Sequence, residues 1–239
     1  MSLGINLLPT GFKSCTFNCI YCECGWTYKN TTGNHKLPER TEIRTILEKK
    51  LEKMLEEGNP PDNITFAGNG EPTIHPDFAG IIDDTIELRN RHFPKAAITV
   101  LSNGTMLHKK EIFNALDKTD NNVLKLDTAI EETFKLLNQP CSDIPLSLII
   151  ENIKKFNGNQ IIQSLFIRGF FNGKQIDNTT ENEIGAWLKV IKEIAPRYVM
   201  VYPIARNTPA AGLEKISKSE LDKISARVRS LGIITKTYY

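Results

Sequence analysis

Three cysteines stand close together in the run Cys15-Thr-Phe-Asn-Cys19-Ile-Tyr-Cys22. Cluster iron is ligated by thiolates, and cysteines separated by three and then two residues on one tight loop can reach three corners of a cubane. Three protein ligands leave one iron open, a place for a substrate or cofactor, whereas an electron-transfer cluster is closed by four. Two other readings stand beside this one: a structural zinc site with Cys24 or His35 as fourth ligand, and plain buried cysteines. Zinc sites prefer paired knuckles, and the second pair is missing here. Cys24 follows Cys22 after a single residue, which strains chelation of the same cluster, so it reads as a loop residue open to oxidation. Cys141, in Asn138-Gln-Pro-Cys141, stands alone and reads as a small, semi-buried side chain.

Elements that position such a loop emerge from an alternation of short apolar runs and longer amphipathic segments. The expected strands are Ile5–Leu8, Asn63–Ala67, Ala97–Ser102, Asn122–Asp127, Ile161–Ile167 and Tyr198–Pro203. The expected helices are Thr41–Glu57, Asp77–Arg91, Lys109–Leu116, Ser147–Phe156, Thr180–Ile194 and Ser217–Leu231. Gly58 is placed to end the first helix, and Ser217 followed by Glu220 forms a capping box opening the last. Strand and helix alternating in this way is the signature of βαβ units and a parallel sheet. In Val123-Leu-Lys-Leu-Asp127, Leu124 and Leu126 fall on one face and Val123, Lys125 and Asp127 on the other. Polar residues turned inward favour an α/β fold of partial (β/α)6 TIM-like barrel type over an open doubly wound sheet. The unusual residues sit in loops after strands: the cysteines after the first, Gly68-Asn-Gly-Glu71-Pro72 after the second, Asn103-Gly104 after the third. Parallel α/β folds place their sites at such carboxyl ends.

At 239 residues the chain suits one large domain, residues 1–239, with no repeat or linker. Hydrophobic residues at 40% and charged residues at 24% exclude disordered and membrane classes, and no apolar stretch suggests a transmembrane helix. The first residues show no secretory signal. Five cysteines without one point to a reducing, cytoplasmic setting, where clustered cysteines serve as metal ligands or catalysts more often than as disulfides. Thirty basic against 28 acidic residues, a net charge of +2, gives no strong pull toward nucleic acid. Lys49, Lys50 and Lys53 on the first helix read as a solvated face.

The spacing Cys-x3-Cys-x2-Cys, with aromatic Tyr21 before the last cysteine, resembles the hallmark of the radical S-adenosylmethionine (SAM) superfamily. Gly68-Asn-Gly-Glu71-Pro72 is similar to that family's Gly-Gly-Glu-Pro stretch, with Asn69 where the second glycine usually stands. Ile5-Asn-Leu-Leu-Pro and Ile20-Tyr-Cys-Glu-Cys-Gly25 resemble the branch containing tRNA wyosine synthases and uncharacterised relatives. The resemblance implies a radical SAM enzyme, an oxidoreductase with a 4Fe-4S cluster on Cys15, Cys19 and Cys22 and SAM on the open iron. It implies cofactor contacts from Tyr21, Gly68, Asn69, Gly70, Glu71, Ser102, Asn103, Lys125, Asp127 and Tyr202, the last packing with Pro203 on adenine. Glu71 can accept hydrogen bonds from the methionine ammonium, and the flanking glycines let backbone approach closely.

The implied reaction is reductive cleavage of SAM to a 5′-deoxyadenosyl radical that abstracts hydrogen from a substrate, with a reductant such as flavodoxin or ferredoxin. The substrate is a small molecule or RNA, and the branch resemblance points to tRNA guanosine. Two cysteines outside the motif are too few for the second cluster that branch implies. Arg168, Asn172 and Arg206 follow late strands and are candidate substrate contacts. The reading from a different class is a non-catalytic metal-binding or electron-transfer module with Cys15, Cys19, Cys22 and Cys24 closing the coordination shell.

Overall fold

The computed structural model describes residues 1–27 and 37–239; His35 lies outside them. By backbone contacts the chain forms two compact units. The first comprises Met1–Cys15, the described part of Tyr28–Ser102, and Met106–Asn122; the second comprises Thr16–Thr27, Asn103–Thr105 and Val123–Tyr239.

In the first unit β1 (Ser2–Ile5), β2 (Asn63–Phe66) and β3 (Ala97–Ser102) pair in that order, all parallel. β1 lies three residues ahead of the expected Ile5–Leu8, with Ser2 opposite Asn63 and Ile5 opposite Phe66. Asn6 is the reason. Its Oδ1 accepts from Leu8 N at 3.1 Å and its Nδ2 donates to Leu8 O at 3.0 Å, an Asx turn that ends the strand where the apolar run alone suggests it starts. Helices α1 (Arg40–Glu56), α2 (Phe78–His92) and α3 (Lys110–Asp117) complete the unit. Buried Ile43, Leu47, Leu51 and Met54 recur at helical spacing on α1, and the last three pack with Ile64, Leu88 and Phe93. Gly58, at φ +66°, ends α1, its N–H bonding to Leu55 O. On the outer side Arg40 forks onto Asp84 at 2.7 and 2.9 Å and Arg44 bridges Asp84 and Glu87. The Arg40 guanidinium holds the Asp84 carboxyl below its ordinary range.

In the second unit the last three residues of β4 (Asn121–Lys125), then β5 (Ile161–Leu165), β8 (Val199–Tyr202) and β10 (Thr235–Thr237) pair in that order, also parallel. Helices α4 (Glu131–Leu137), α5 (Leu146–Lys154), α6 (Glu181–Ile194) and α7 (Lys218–Arg229) accompany them. Trp187 of α6 is buried edge-on against Phe166, their rings 5.2 Å apart, and its indole N–H reaches Leu126 O at 3.1 Å. The capping box of Ser217 and Glu220 opens α7 as expected.

The expected α/β class with parallel strands holds, with seven such strands among the described residues against six expected. The apolar run Ile161–Ile167, expected as one strand, divides. β5 stops at Leu165, and β6 (Ile167–Phe171) turns away into a three-stranded antiparallel sheet with β7 (Lys174–Asp177) and β9 (Leu213–Lys215). Buried Asn178 makes the break affordable to the backbone: its Oδ1 accepts from Ile167 N at 2.8 Å and its Nδ2 donates to Leu165 O at 2.8 Å. Asn172 and Gly173, at φ +51° and +74°, form the two-residue turn between β6 and β7, an arrangement Asn-Gly favours. Asn172, expected as a candidate substrate contact, stands in this turn.

Candidate active site

The cysteine loop is wound and fastened at both ends. Cys22 N–H bonds to Cys19 O at 3.1 Å and Gly25 N–H to Cys22 O at 2.9 Å, successive tight turns that bring positions 19 and 22 round to one side of the chain. Thr27 closes the loop, its hydroxyl on Phe17 O at 2.8 Å and its N–H on Asn18 Oδ1 at 2.6 Å. Cys19 is buried, Cys22 half-buried and Cys24 exposed.

Residues 137–141 back this loop, a support the sequence does not announce. Asn18 N–H bonds to Asn138 O and Ile20 N–H to Leu137 O, and Cys141 N–H returns to Thr16 O at 2.8 Å. Phe17 and Pro140 form an antiparallel bridge, and the Phe17 ring packs edge-on to Phe134 at 5.4 Å. Cys141 itself is exposed, so the segment serves through its backbone and through Asn138.

Behind the loop lies a buried polar network. Asp127 is 2% exposed. Its Oδ2 accepts from the Tyr21 hydroxyl and from Asn138 Nδ2, the latter at 2.8 Å, and its Oδ1 accepts from Leu165 N at 2.8 Å, with Lys125 Nζ 3.5 Å away. Asn138 Nδ2 also lies 3.0 Å from the Tyr21 oxygen and 3.5 Å from Cys19 Sγ. Burial pushes the Tyr21 phenol well above its ordinary range, and the charges of Asp127 and Cys19 add to the effect. Lys125 lies 5.1 Å over the Tyr21 ring. Asn103 is held in a ring of polar side chains: its Nδ2 donates to Thr16 Oγ1 and its Oδ1 accepts from Thr105, both at 2.8 Å. A cavity of about 10 Å³, room for about one water, is lined by Asn103, Lys125, Asp127 and Asn138 among others. Tyr202 stacks on Tyr238 with ring centroids 4.3 Å apart, and burial, followed by Tyr238, pushes its phenol up.

In the first unit Gly68, Asn69, Gly70 and Glu71 form a cradle for the chain that leads to Cys15. Ser14 N–H bonds to Asn69 O at 2.9 Å and Glu71 N–H to Ser14 O at 3.0 Å. Gly70 sits at φ +146°, where a Cβ would fall 1.5 Å from Ser14 O; only glycine fits. Asn69 Nδ2 donates to Phe12 O at 2.7 Å and Pro9 O at 3.0 Å. Asparagine in place of the usual glycine therefore ties down residues 9–12. Glu71 is 2% exposed. Its Oε1 gathers three donors: Thr73 N at 3.1 Å, Thr73 Oγ1 at 2.5 Å and Ser102 Oγ at 2.8 Å.

The structure thus brings Gly70, Glu71 and Ser102 together in one unit, and Tyr21, Lys125, Asp127 and Cys19 in the other. Arg168 is committed to Glu220 and Thr179, and Arg206, highly exposed, to Glu23 at 3.1 Å. Lys49, Lys50 and Lys53 are exposed, as expected of a solvated face.

Residues 11–181 match the model of the Radical SAM superfamily. A protein of Brachyspira hyodysenteriae named GTPase Obg is 28% identical over 222 residues, covering 93% of this chain. The chain spans about a third of that relative, 31% of its length. Among solved structures, a radical SAM methyltransferase from Sphaerobacter thermophilus superposes with a TM-score of 0.68 at 16% identity, over 94% of this chain and 63% of the other. Streptococcus suis SuiB bound to S-adenosylmethionine superposes with a TM-score of 0.68 at 18% identity, over 100% of this chain and 50% of its own. These likenesses give the fold, the partial α/β barrel expected from the sequence.

Proposed function

Because the chain belongs to the radical SAM superfamily, an enzyme superfamily whose cofactors are SAM and a 4Fe-4S cluster, we propose that residues 1–239 act as one catalytic core that cleaves SAM reductively. In this reading Cys15, Cys19 and Cys22 would hold the cluster and leave it open to SAM. With SAM bound, the cluster would supply one-electron reductive cleavage chemistry for hydrogen abstraction from a substrate. The residues suit the group: thiolates on a wound loop, one of them buried with an amide N–H beside its sulfur.

The observation that carries the proposal is the Gly70–Glu71 cradle, whose backbone fastens Ser14 in the segment leading into Cys15. Glu71 offers a carboxylate fixed in plane by the donors on Oε1, suited to a methionine ammonium. Ser102 fixes that carboxylate, and Gly68 and Asn69 shape the chain around it. Asn103 and Lys125, on the cavity beside Asp127, serve the cofactor's polar parts, and Tyr202 its adenine. Tyr21 and Asp127 serve by holding the loop's last turn from behind. A one-electron donor such as flavodoxin or ferredoxin completes the system in a cytoplasmic setting. No helix among the described residues is long and apolar enough to cross a membrane.

Anaerobic reconstitution with iron and sulfide, reduction and assay for 5′-deoxyadenosine test this reading. The expected outcome is SAM-dependent 5′-deoxyadenosine from the unmodified chain and from Cys24→Ala, and none from Cys19→Ala. No product, with the cluster lost in Cys24→Ala, would establish the closed four-cysteine module instead.

A further inference from the structure

Asn138 contributes to the site in a way that the cysteine motif does not reveal. Its backbone is fixed at the end of α4, where its N–H bonds to Phe134 O, and its carbonyl accepts from Asn18 N on the cysteine loop at 3.0 Å. The side chain is 2% exposed. Around Nδ2 lie three acceptors: Asp127 Oδ2 at 2.8 Å, the Tyr21 oxygen at 3.0 Å and Cys19 Sγ at 3.5 Å. An amide nitrogen carries two protons. One satisfies the carboxylate, beside which the phenol oxygen also lies, and the second is left for the sulfur. The reverse orientation would set the amide oxygen against a carboxylate and a thiolate, so the surroundings fix which end of the amide faces them.

We propose that Asn138 is a positioning residue that sets the reduction potential of the cluster through an N–H···S hydrogen bond to Cys19. The inference rests on the function proposed above. An amide proton on a ligating sulfur draws negative charge from the cluster. It stabilises the reduced form, which carries the extra electron, more than the oxidised form. Asp127 acts the opposite way, as a buried anion that disfavours the added electron. Asn138 stands between the two, spending one proton on the carboxylate and lending the other to the sulfur. Tyr21 donates its own proton to Asp127, leaving its oxygen free to share the amide only as an acceptor.

The test is a potentiometric titration of the reconstituted protein, followed by electron paramagnetic resonance, on the unmodified chain and on Asn138→Leu, which keeps the size and removes the donor. The expected result is a more negative midpoint in the variant. A tenfold lower ratio of reduced to oxidised cluster at a fixed poise corresponds to about 59 mV for one electron. Iron content should stay equal. An unchanged or more positive midpoint at equal iron content would overturn the inference while leaving SAM cleavage standing. Should Asn138→Leu not fold, the unmodified protein carrying 15N-asparagine provides the second measurement. Pulsed resonance on the reduced cluster should show coupling to a side-chain amide nitrogen, and its absence would overturn the inference. An unmodified chain that binds no 4Fe-4S cluster would overturn the proposed function and this inference with it.

Discussion

Glu71 and Asp127 are both buried to 2% exposure, yet their surroundings give them different work. Glu71 Oε1 accepts from the Thr73 backbone and hydroxyl and from the Ser102 hydroxyl, neutral groups of its own unit. Asp127 has donors on both oxygens, from a phenol, an amide and a backbone N–H, with a lysine 3.5 Å away. In the proposed function Glu71 is the carboxylate that meets a bound cation. One surrounded on both sides is an internal brace, its charge already shared out. The proposed function gives these two acids of equal burial different roles, the first to bind a cation and the second to brace the loop.

Removing the brace should cost most. Asp127→Ala leaves the Tyr21 hydroxyl, the Asn138 amide and Leu165 N–H without their acceptor, and chemical denaturation should show a loss of about 3–5 kcal/mol. Gly70→Ala attacks the cradle rather than the acid it carries. With a Cβ 1.5 Å from Ser14 O at a positive φ, strain and overpacking should lower stability by about 2–4 kcal/mol, with cluster uptake falling in parallel. Glu71→Gln is the sharper comparison. It keeps the shape and an oxygen for Thr73 and Ser102, so stability should change by about 1 kcal/mol, while SAM affinity of the reconstituted protein, read by calorimetry, should fall about tenfold or more. Equal losses in the two would erase the distinction between Glu71 and Asp127.

The smallest effect belongs to an acid in neither place. The Ser217 hydroxyl, then Arg168, lowers the half-buried Glu220 carboxyl from its ordinary 4.5 to about 2. A folded value below the unfolded one means that the cap stabilises fully above the ordinary carboxylate range and loses its contribution as pH falls toward 2. Ser217→Ala should cost about 1 kcal/mol at neutral pH, a difference that shrinks in acid when thermal melting is followed against pH.

The fold was readable wherever periodicity and caps agreed. α6 was expected over Thr180–Ile194 and observed at Glu181–Ile194, and β3 spans the expected Ala97–Ser102. Periodicity failed where one polar side chain overruled it. Asn6 ends β1 early and Asn178 lets β5 and β6 part company, and neither has a spacing that marks it in advance. The β6–β7 hairpin is a different omission. Asn172-Gly173 is a strong hairpin signal, and weighing it as turn chemistry rather than as a substrate contact would have found both strands. At the site, the cysteines and Glu71 stood out by residue type and order. Asn138 did not, because its value lies in three acceptors contributed by distant residues. Asn69 was visible as a departure from pattern, and its reason came only from the carbonyls of Pro9 and Phe12.

The backing of the cysteine loop by residues 137–141 also bears on the order in which the molecule can be made. Asn138 lies 119 residues downstream of Cys19, so a growing chain displays its cysteines long before their support has been synthesised. At roughly 5–20 residues per second, the thiols wait roughly 6–24 s for it. If the loop holds a cluster as proposed, loading of metal during synthesis would meet a loose peptide rather than a formed loop until translation has passed Cys141.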